Sequence, residues 1–295
     1  MREDIVNSIP DAPVWDRREF FVTSIFAAGA FGLAAQSTLA QTQIKTDAVG
    51  LTAGEVKIRV ADGEIPAYCA LPEKKGQKYP VVLVIHEIFG VNEWVQDVCR
   101  RFAKVGYMAI APALYARQGE IKDLKDPREI NRQVYSKIPD IQAMSDLDSC
   151  VAWAAKNSGD IRKLSITGFC WGGRIVWIYS EHNPNVKAGA AWYGRLTAAP
   201  NSPVNTLQPA NAIDHVADLK AQVIGFYGGL DTSIPADSIQ KMRDELAKYK
   251  SKSEINVYPN AKHGFFADYR DSYNKEAAED AWPKLLAWFK KYGAA

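Results

Sequence analysis

Gly168-Phe169-Cys170-Trp171-Gly172 places a thiol between two glycines. A nucleophile in a G-x-Nuc-x-G frame sits on a sharp, strained strand-to-helix turn. The flanking glycines let the backbone reverse and let the helix pack close to the strand. The surroundings suit that reading, because Leu164 to Thr167 reads as a buried strand and a helix is expected from about Gly173 or Arg174. The first turn of a helix favours thiolate over thiol. The chemistry implied is covalent attack on an acyl carbon. Taken alone, the segment could be a glycine-rich turn around a buried cysteine; its strand-to-helix context favours the nucleophile.

A thiol nucleophile needs a base and an acid that orients it. Asp231 closes Gly228-Gly229-Leu230-Asp231, and His263 lies in Ala261-Lys262-His263-Gly264. Each follows an apolar, strand-like run, and the order nucleophile, acid, histidine is one known for such turns. The separations, 61 residues from Cys170 to Asp231 and 32 from Asp231 to His263, leave room for a strand and helix between sites. Of the four histidines (His86, His182, His215 and His263), only His263 follows a strand after such an acid. Asp231 is also a natural turn residue or helix N-cap; Asp214, Asp218 and Asp237 are less well placed. His86-Glu87-Ile88-Phe89-Gly90 follows the first strongly apolar strand. A loop there supplies one backbone donor to an oxyanion and the residue after the nucleophile the other, which predicts N–H groups of Ile88 and Trp171. Glu87 should then lie near Cys170, unless it is a structural carboxylate paired with an arginine. No HExxH or comparable ligand spacing is present, so neither metal nor cofactor is implied.

These side chains meet only if the right elements carry them. Pro80 to Ile85 is a continuous β-branched run of the kind buried on both faces of a parallel sheet. Tyr107–Ala111, Leu164–Thr167, Val186–Trp192, Gln222–Tyr227 and Glu254–Tyr258 read as further strands. Helices are expected over Val91–Val105, in two pieces between Pro127 and Trp153 broken near Pro139, over Ser238–Tyr249 and over Lys275–Lys290. Such alternation indicates a mainly parallel, twisted sheet with helices on both faces. Glu55–Val60 and Ile65–Leu71, joined at Asp62-Gly63, predict an antiparallel hairpin on one edge. Leu196–Pro209 reads as loop.

The remaining sequence bounds the function class. Of 295 residues, 47% are hydrophobic and 24% charged, enough for a sizeable core. A net charge of +2, with cations and anions intermixed, gives no basis for a nucleic-acid partner. Cys69, Cys99, Cys150 and Cys170 form no CxxC pair or zinc pattern. Arg17-Arg18 precede a mildly apolar run, Phe20 to Ala35, and Thr38-Leu39-Ala40 is a small-residue cleavage site. This predicts a twin-arginine (Tat-type) export signal over 1–40, the Tat machinery as a partner and a periplasmic or exported product; an uncleaved anchor is the alternative. Cleavage after Ala40 leaves 255 residues, with 41–54 as linker and 55–295 as one domain. Folding before export would let an enclosed Cys170 stay reduced in an oxidising compartment.

HEIFG at 86–90, APALYAR at 111–117, GFCWGGR at 168–174, GGLDTSIP at 228–235 and AKHGFF at 261–266 together resemble the dienelactone hydrolase (carboxymethylenebutenolidase) family. The resemblance covers about Glu55 to Phe289. It implies the α/β-hydrolase fold, a Cys170–His263–Asp231 triad and hydrolysis of a small ester or lactone through a thioester. It also implies that Cys170 rests as a thiol until a carboxylate-bearing substrate moves Glu87, which then takes the proton. Family members often carry a substrate-binding arginine four residues after the histidine; here that position is Ala267, with Arg270 three residues on. Arg128, Arg132 and Tyr135 lie where a second such arginine is expected, although a solvated helix face would read the same. Phe265 and Phe266 suggest an apolar pocket wall. A broader carboxylesterase or thioesterase of the same fold, or a non-catalytic binding protein that keeps the pocket, shares most of these residues. The complete Cys170, Asp231, His263 set argues against the last.

Overall fold

The apolar run at Tyr79–Ile85 forms β3, and almost every residue in it is buried. A strand buried on both faces must lie mid-sheet, and in the computed structural model, which describes residues 43–74, 76–198 and 203–295, it does. The eight strands are ordered β1-β2-β4-β3-β5-β6-β7-β8. They are β1 (Leu51–Val60), β2 (Gly63–Pro72), β3, β4 (Met108–Pro112), β5 (Gly159–Phe169), β6 (Val186–Trp192), β7 (Gln222–Gly228) and β8 (Glu254–Tyr258). β1–β2 and β2–β4 pair antiparallel; all pairs from β4 to β8 are parallel. This is the expected mainly parallel α/β-hydrolase sheet with an edge hairpin. Because both faces of β3, β6 and β7 are buried, the sheet is covered on both sides.

The helices are α1 (Glu93–Lys104), α2 (Pro127–Gln133), α3 (Asp140–Lys156), α4 (Trp171–His182), α5 (Ala236–Lys248) and α6 (Lys275–Lys291). α1 starts where Asn92 accepts the Val95 N–H, and buries Trp94, Val95, Val98, Cys99 and Phe102 together with one carboxylate, Asp97. α4, beginning at Trp171, is buried from Trp171 through Ser180.

Several boundaries differ from expectation; α4, for one, opens at Trp171 and not at Gly173 or Arg174. β1 begins at Leu51, so residues 51–54 belong to the sheet and not to a linker. β5 begins at Gly159, because Gly159 and Asp160 pair with Tyr79 and Pro80 ahead of a register shift at Val81. A 3-10 turn over Ala212–Asp218, closed by a reciprocal Asn211–Asp214 cap, follows the loop after β6. The predicted export signal at 1–40 lies outside the described residues.

Candidate active site

β5 ends at Phe169 and α4 starts at Trp171, so the chain turns within Cys170, whose φ of 56° and ψ of −113° are unusual for a side-chain-bearing residue. The glycines make this close approach possible. A Cβ on Gly168 would stand 2.3 Å from the Gly172 carbonyl oxygen, and one on Gly172 would stand 2.4 Å from that of Ile85. Cys170 is partly exposed, whereas Cys69, Cys99 and Cys150 are buried. The Cys170 N–H donates to the Trp192 carbonyl at 2.9 Å. Trp171 opens α4, and Gly172 packs against the carbonyls of Ile85 and His86, so the loop that carries Ile88 begins beside the turn at Cys170.

His263 lies between the acid and the thiol. Its Nδ1 is 2.7 Å from Asp231 Oδ2, and Cys170 is close enough to raise the proton affinity of the ring. Asp231 fills both of its expected roles with separate oxygens. Oδ2 faces the imidazole, while Oδ1 accepts the Ser233 N–H and hydroxyl at 2.8 and 2.6 Å and the Ile234 N–H at 3.2 Å. Burial acts to raise the Asp231 carboxyl, but its bond to His263, the imidazolium charge and Ser233 outweigh it and hold the group below the ordinary range. Burial likewise acts to lower His263; its interactions with Cys170 and Asp231 overcome it, and His263 is pushed up to about 10.

Glu87 is buried and fully engaged. Tyr269 donates its hydroxyl to Oε2 at 2.7 Å and Arg270 Nη1 donates to Oε1 at 3.0 Å. The pairing with an arginine is thus realised, and the arginine is Arg270. The turn after His263 explains its reach: Ala267 bonds back to Gly264 and Arg270 to Ala267. The guanidinium lies between the Phe89 ring, 5.4 Å away, and Gly264. Gly264 has φ of +76°, and a Cβ there would stand 2.5 Å from Arg270 Nη1. Gly264→Ala should therefore displace Arg270 from Glu87 and cost about 1–2 kcal/mol in backbone strain. Melting curves should show a fall of several degrees, and Cys170 alkylation at neutral pH should change; an unchanged alkylation rate would count against the packing described.

Other sequence expectations are redistributed. Arg128 is exposed, and Arg132 is exposed and paired with Glu129, so both belong to the solvated face of α2. Phe265 is core and not pocket wall, packed on Trp192, Tyr193 and Tyr258. Phe266 stacks on Phe169. Tyr135 is buried behind the 86–90 loop, its ring 5.1 Å from Trp171 and its hydroxyl 3.3 Å from the Glu87 carbonyl.

Sequence reasoning gave no role to Tyr269 or Ser233, which hold Glu87 and Asp231, nor to two residues around the turn. His86 is wholly buried, stacks on Trp171, and is lowered by that burial to about 4, so it is neutral. Tyr193 caps β6 with φ of 38°, its ring 5.1 Å from His263 and its buried hydroxyl without a partner among the described residues. The first carried a signal in its place at the end of an apolar strand; the second carried none. No cluster of three or more metal-ligating side chains occurs among the described residues.

A sequence model of the dienelactone hydrolase family matches residues 65–293. The chain belongs to this family. Its members include a Methylorubrum extorquens protein named "Putative carboxymethylenebutenolidase", 52% identical over 281 residues, which are 95% of this chain and 94% of the relative. A Yersinia pestis protein of the same name is 48% identical over 83% of this chain and 91% of its own length. The crystal structure of a "Putative Dienelactone Hydrolase" from Klebsiella pneumoniae aligns with a TM-score of 0.79 at 46% identity, covering 82% of this chain and 99% of that one. The chain is accordingly a hydrolase with the α/β-hydrolase fold.

Proposed function

We propose that the protein hydrolyses a carboxylate-bearing ester or lactone, as the names of its relatives suggest, through a thioester on Cys170. The observation that carries this reading is the imidazole of His263 held 2.7 Å from Asp231, with Cys170, on its strained turn, close enough to act on the ring. Sγ attacks the acyl carbon, and the Ile88 and Trp171 N–H groups receive the developing oxyanion. His263 protonates the departing alkoxide, then removes a proton from water as the thioester is cleaved. Asp231 keeps the Nδ1 proton in place.

Arg270 favours a substrate carboxylate over a neutral ester. It supplies, from a different position, the cation that Ala267 lacks, and a quarter of its side chain remains exposed. A carboxylate that draws Arg270 away also frees Glu87 to accept the thiol proton. A matched panel tests this: the reduced protein should hydrolyse a lactone bearing a free carboxylate with kcat/KM at least about tenfold above its neutral methyl ester, since tenfold is roughly 1.4 kcal/mol. Arg270→Gln should erase the difference, and mass spectrometry of a slow aryl ester turnover should find the acyl group on the Cys170 peptide. Equal rates on both lactones would favour a broader carboxylesterase or thioesterase. No hydrolysis of either would favour a binding protein.

A further inference from the structure

Residues 43–49 lie along α1 and are tied to it by main-chain and ionic contacts. The Thr46 N–H donates to Asp97 Oδ1 at 2.5 Å and its hydroxyl to Oδ2 at 3.3 Å, while Arg100 Nε donates to the Thr46 carbonyl at 2.8 Å. Lys104 Nζ donates to Asp47 Oδ1 at 2.7 Å and to the Val49 carbonyl at 2.8 Å. Asp97 is only 1% exposed. A carboxylate so buried must be paired and hydrogen-bonded, and its two cations are Arg100, at 3.3 Å, and Arg101, at 2.6 Å.

Arg101 leads to the site. Its Nη2 donates to Oδ2 of the wholly buried Asp268 at 2.5 Å, and Asp268 also accepts the backbone N–H of Ile44. Asp268 directly precedes Tyr269 and Arg270, the pair that occupies both oxygens of Glu87. From the other side, Asn92, the N-cap of α1, hydrogen-bonds to Tyr269. One network therefore runs from the start of the described chain, through α1, to the buried carboxylate of Glu87. Acyl transfer itself needs none of its outer members.

We propose that residues 44–47 act as a strap that holds the Tyr269–Arg270 pair on Glu87, with Asp97, Arg101 and Asp268 as positioning residues. The strap sets how readily Glu87 is released to take the Cys170 proton. Without the two amide donors of Ile44 and Thr46, both buried carboxylates each lose a partner, and the middle of the 264–270 turn is no longer pinned. This inference rests on the role given to Glu87 above.

Alkylation by iodoacetamide between pH 5 and 9 reports the thiolate of Cys170, because the other three cysteines are buried. In the full chain, Ile44→Pro with Thr46→Pro removes both amide donors without removing a core side chain. The expected result is alkylation roughly tenfold faster near neutrality, the factor that one unit of proton affinity carries, with a melting temperature lowered by several degrees because two buried carboxylates each lose a donor, but with the protein folded at the assay temperature. Asp268→Asn should shift the profile the same way, and Thr46→Ala, which keeps the amide, should not. A wild-type profile in the double-proline variant, whether or not trypsin gains access at Lys45, overturns the strap. Glu87→Gln separates the two readings: if it shifts the profile and the prolines do not, only the strap fails; if it leaves the profile unchanged, the role of Glu87 fails and the strap with it.

Discussion

Cys170→Ala should lose hydrolysis by about six orders of magnitude in kcat, the scale on which removing a covalent nucleophile acts, while the protein folds and still binds substrate. The companion variant Cys170→Gly should be equally inactive but more stable than Cys170→Ala. Cys170 adopts φ of 56° with ψ of −113°, a backbone region that side chains rarely enter. Holding a non-glycine residue there costs about 1–3 kcal/mol, and glycine avoids most of it. Against this, glycine adds freedom to the unfolded chain, worth about 0.5–1 kcal/mol relative to alanine. The balance favours glycine by roughly 1 kcal/mol, or about 2–4 °C in melting temperature for a domain of this size. Kinetics and calorimetry on the two variants check both halves. Residual turnover in Cys170→Ala would move the nucleophile elsewhere, and a lower melting temperature for Cys170→Gly than for Cys170→Ala would mean that the turn stores no strain.

That strain was legible before any coordinates, because glycines at 168 and 172 around a cysteine leave few other conformations. The apolar strands were equally legible: β6 and β8 fall where their composition puts them. What failed was local in cause. The start of β5 is polar, with Asp160, Arg162 and Lys163 in it, and pairs only across a register shift, so alternation gives no sign of it. Leu51–Gly54 carries few strand-forming side chains and is held by its partner Ala70–Pro72 and Cys69 through main-chain pairing. In the site, the segments bearing Cys170, Asp231, His263 and Glu87 could be read from short motifs that bend the backbone at known places. The reach of Arg270 could not, since it depends on tight turns that return its side chain over Gly264. Ser233 could have been found: a hydroxyl two residues after an aspartate is the pattern of a side-chain-closed turn, and here it supports the oxygen of Asp231 that His263 does not use.

Asp231→Asn tests the electrostatics and not only the geometry. An amide can keep the imidazole in place, but it offers no charge to stabilise the imidazolium and can favour the wrong tautomer. In a comparable arrangement this lowers kcat by about 10⁴-fold, and a loss of about 10³–10⁴ is expected here. The change should also be visible in titration. His263 is raised to about 10, against an ordinary 6.5, with Cys170 and Asp231 as the groups that raise it. A raised histidine contributes stability that is complete below its unfolded value and is lost as pH climbs through the folded one, so this contribution should fade between about 6.5 and 10. Asp231, held low, contributes stability present above its unfolded value of 3.8 and lost as pH falls through the lowered one. The pair is thus most stabilising between roughly pH 4 and 6.5. In Asp231→Asn and in Cys170→Ala, the His263 ring resonances should titrate at lower pH than in the wild type, and the alkaline loss of stability should flatten. A midpoint that stays put in both variants would show that neither the sulfur nor the carboxylate governs the proton on His263, and the thioester route would lose its base.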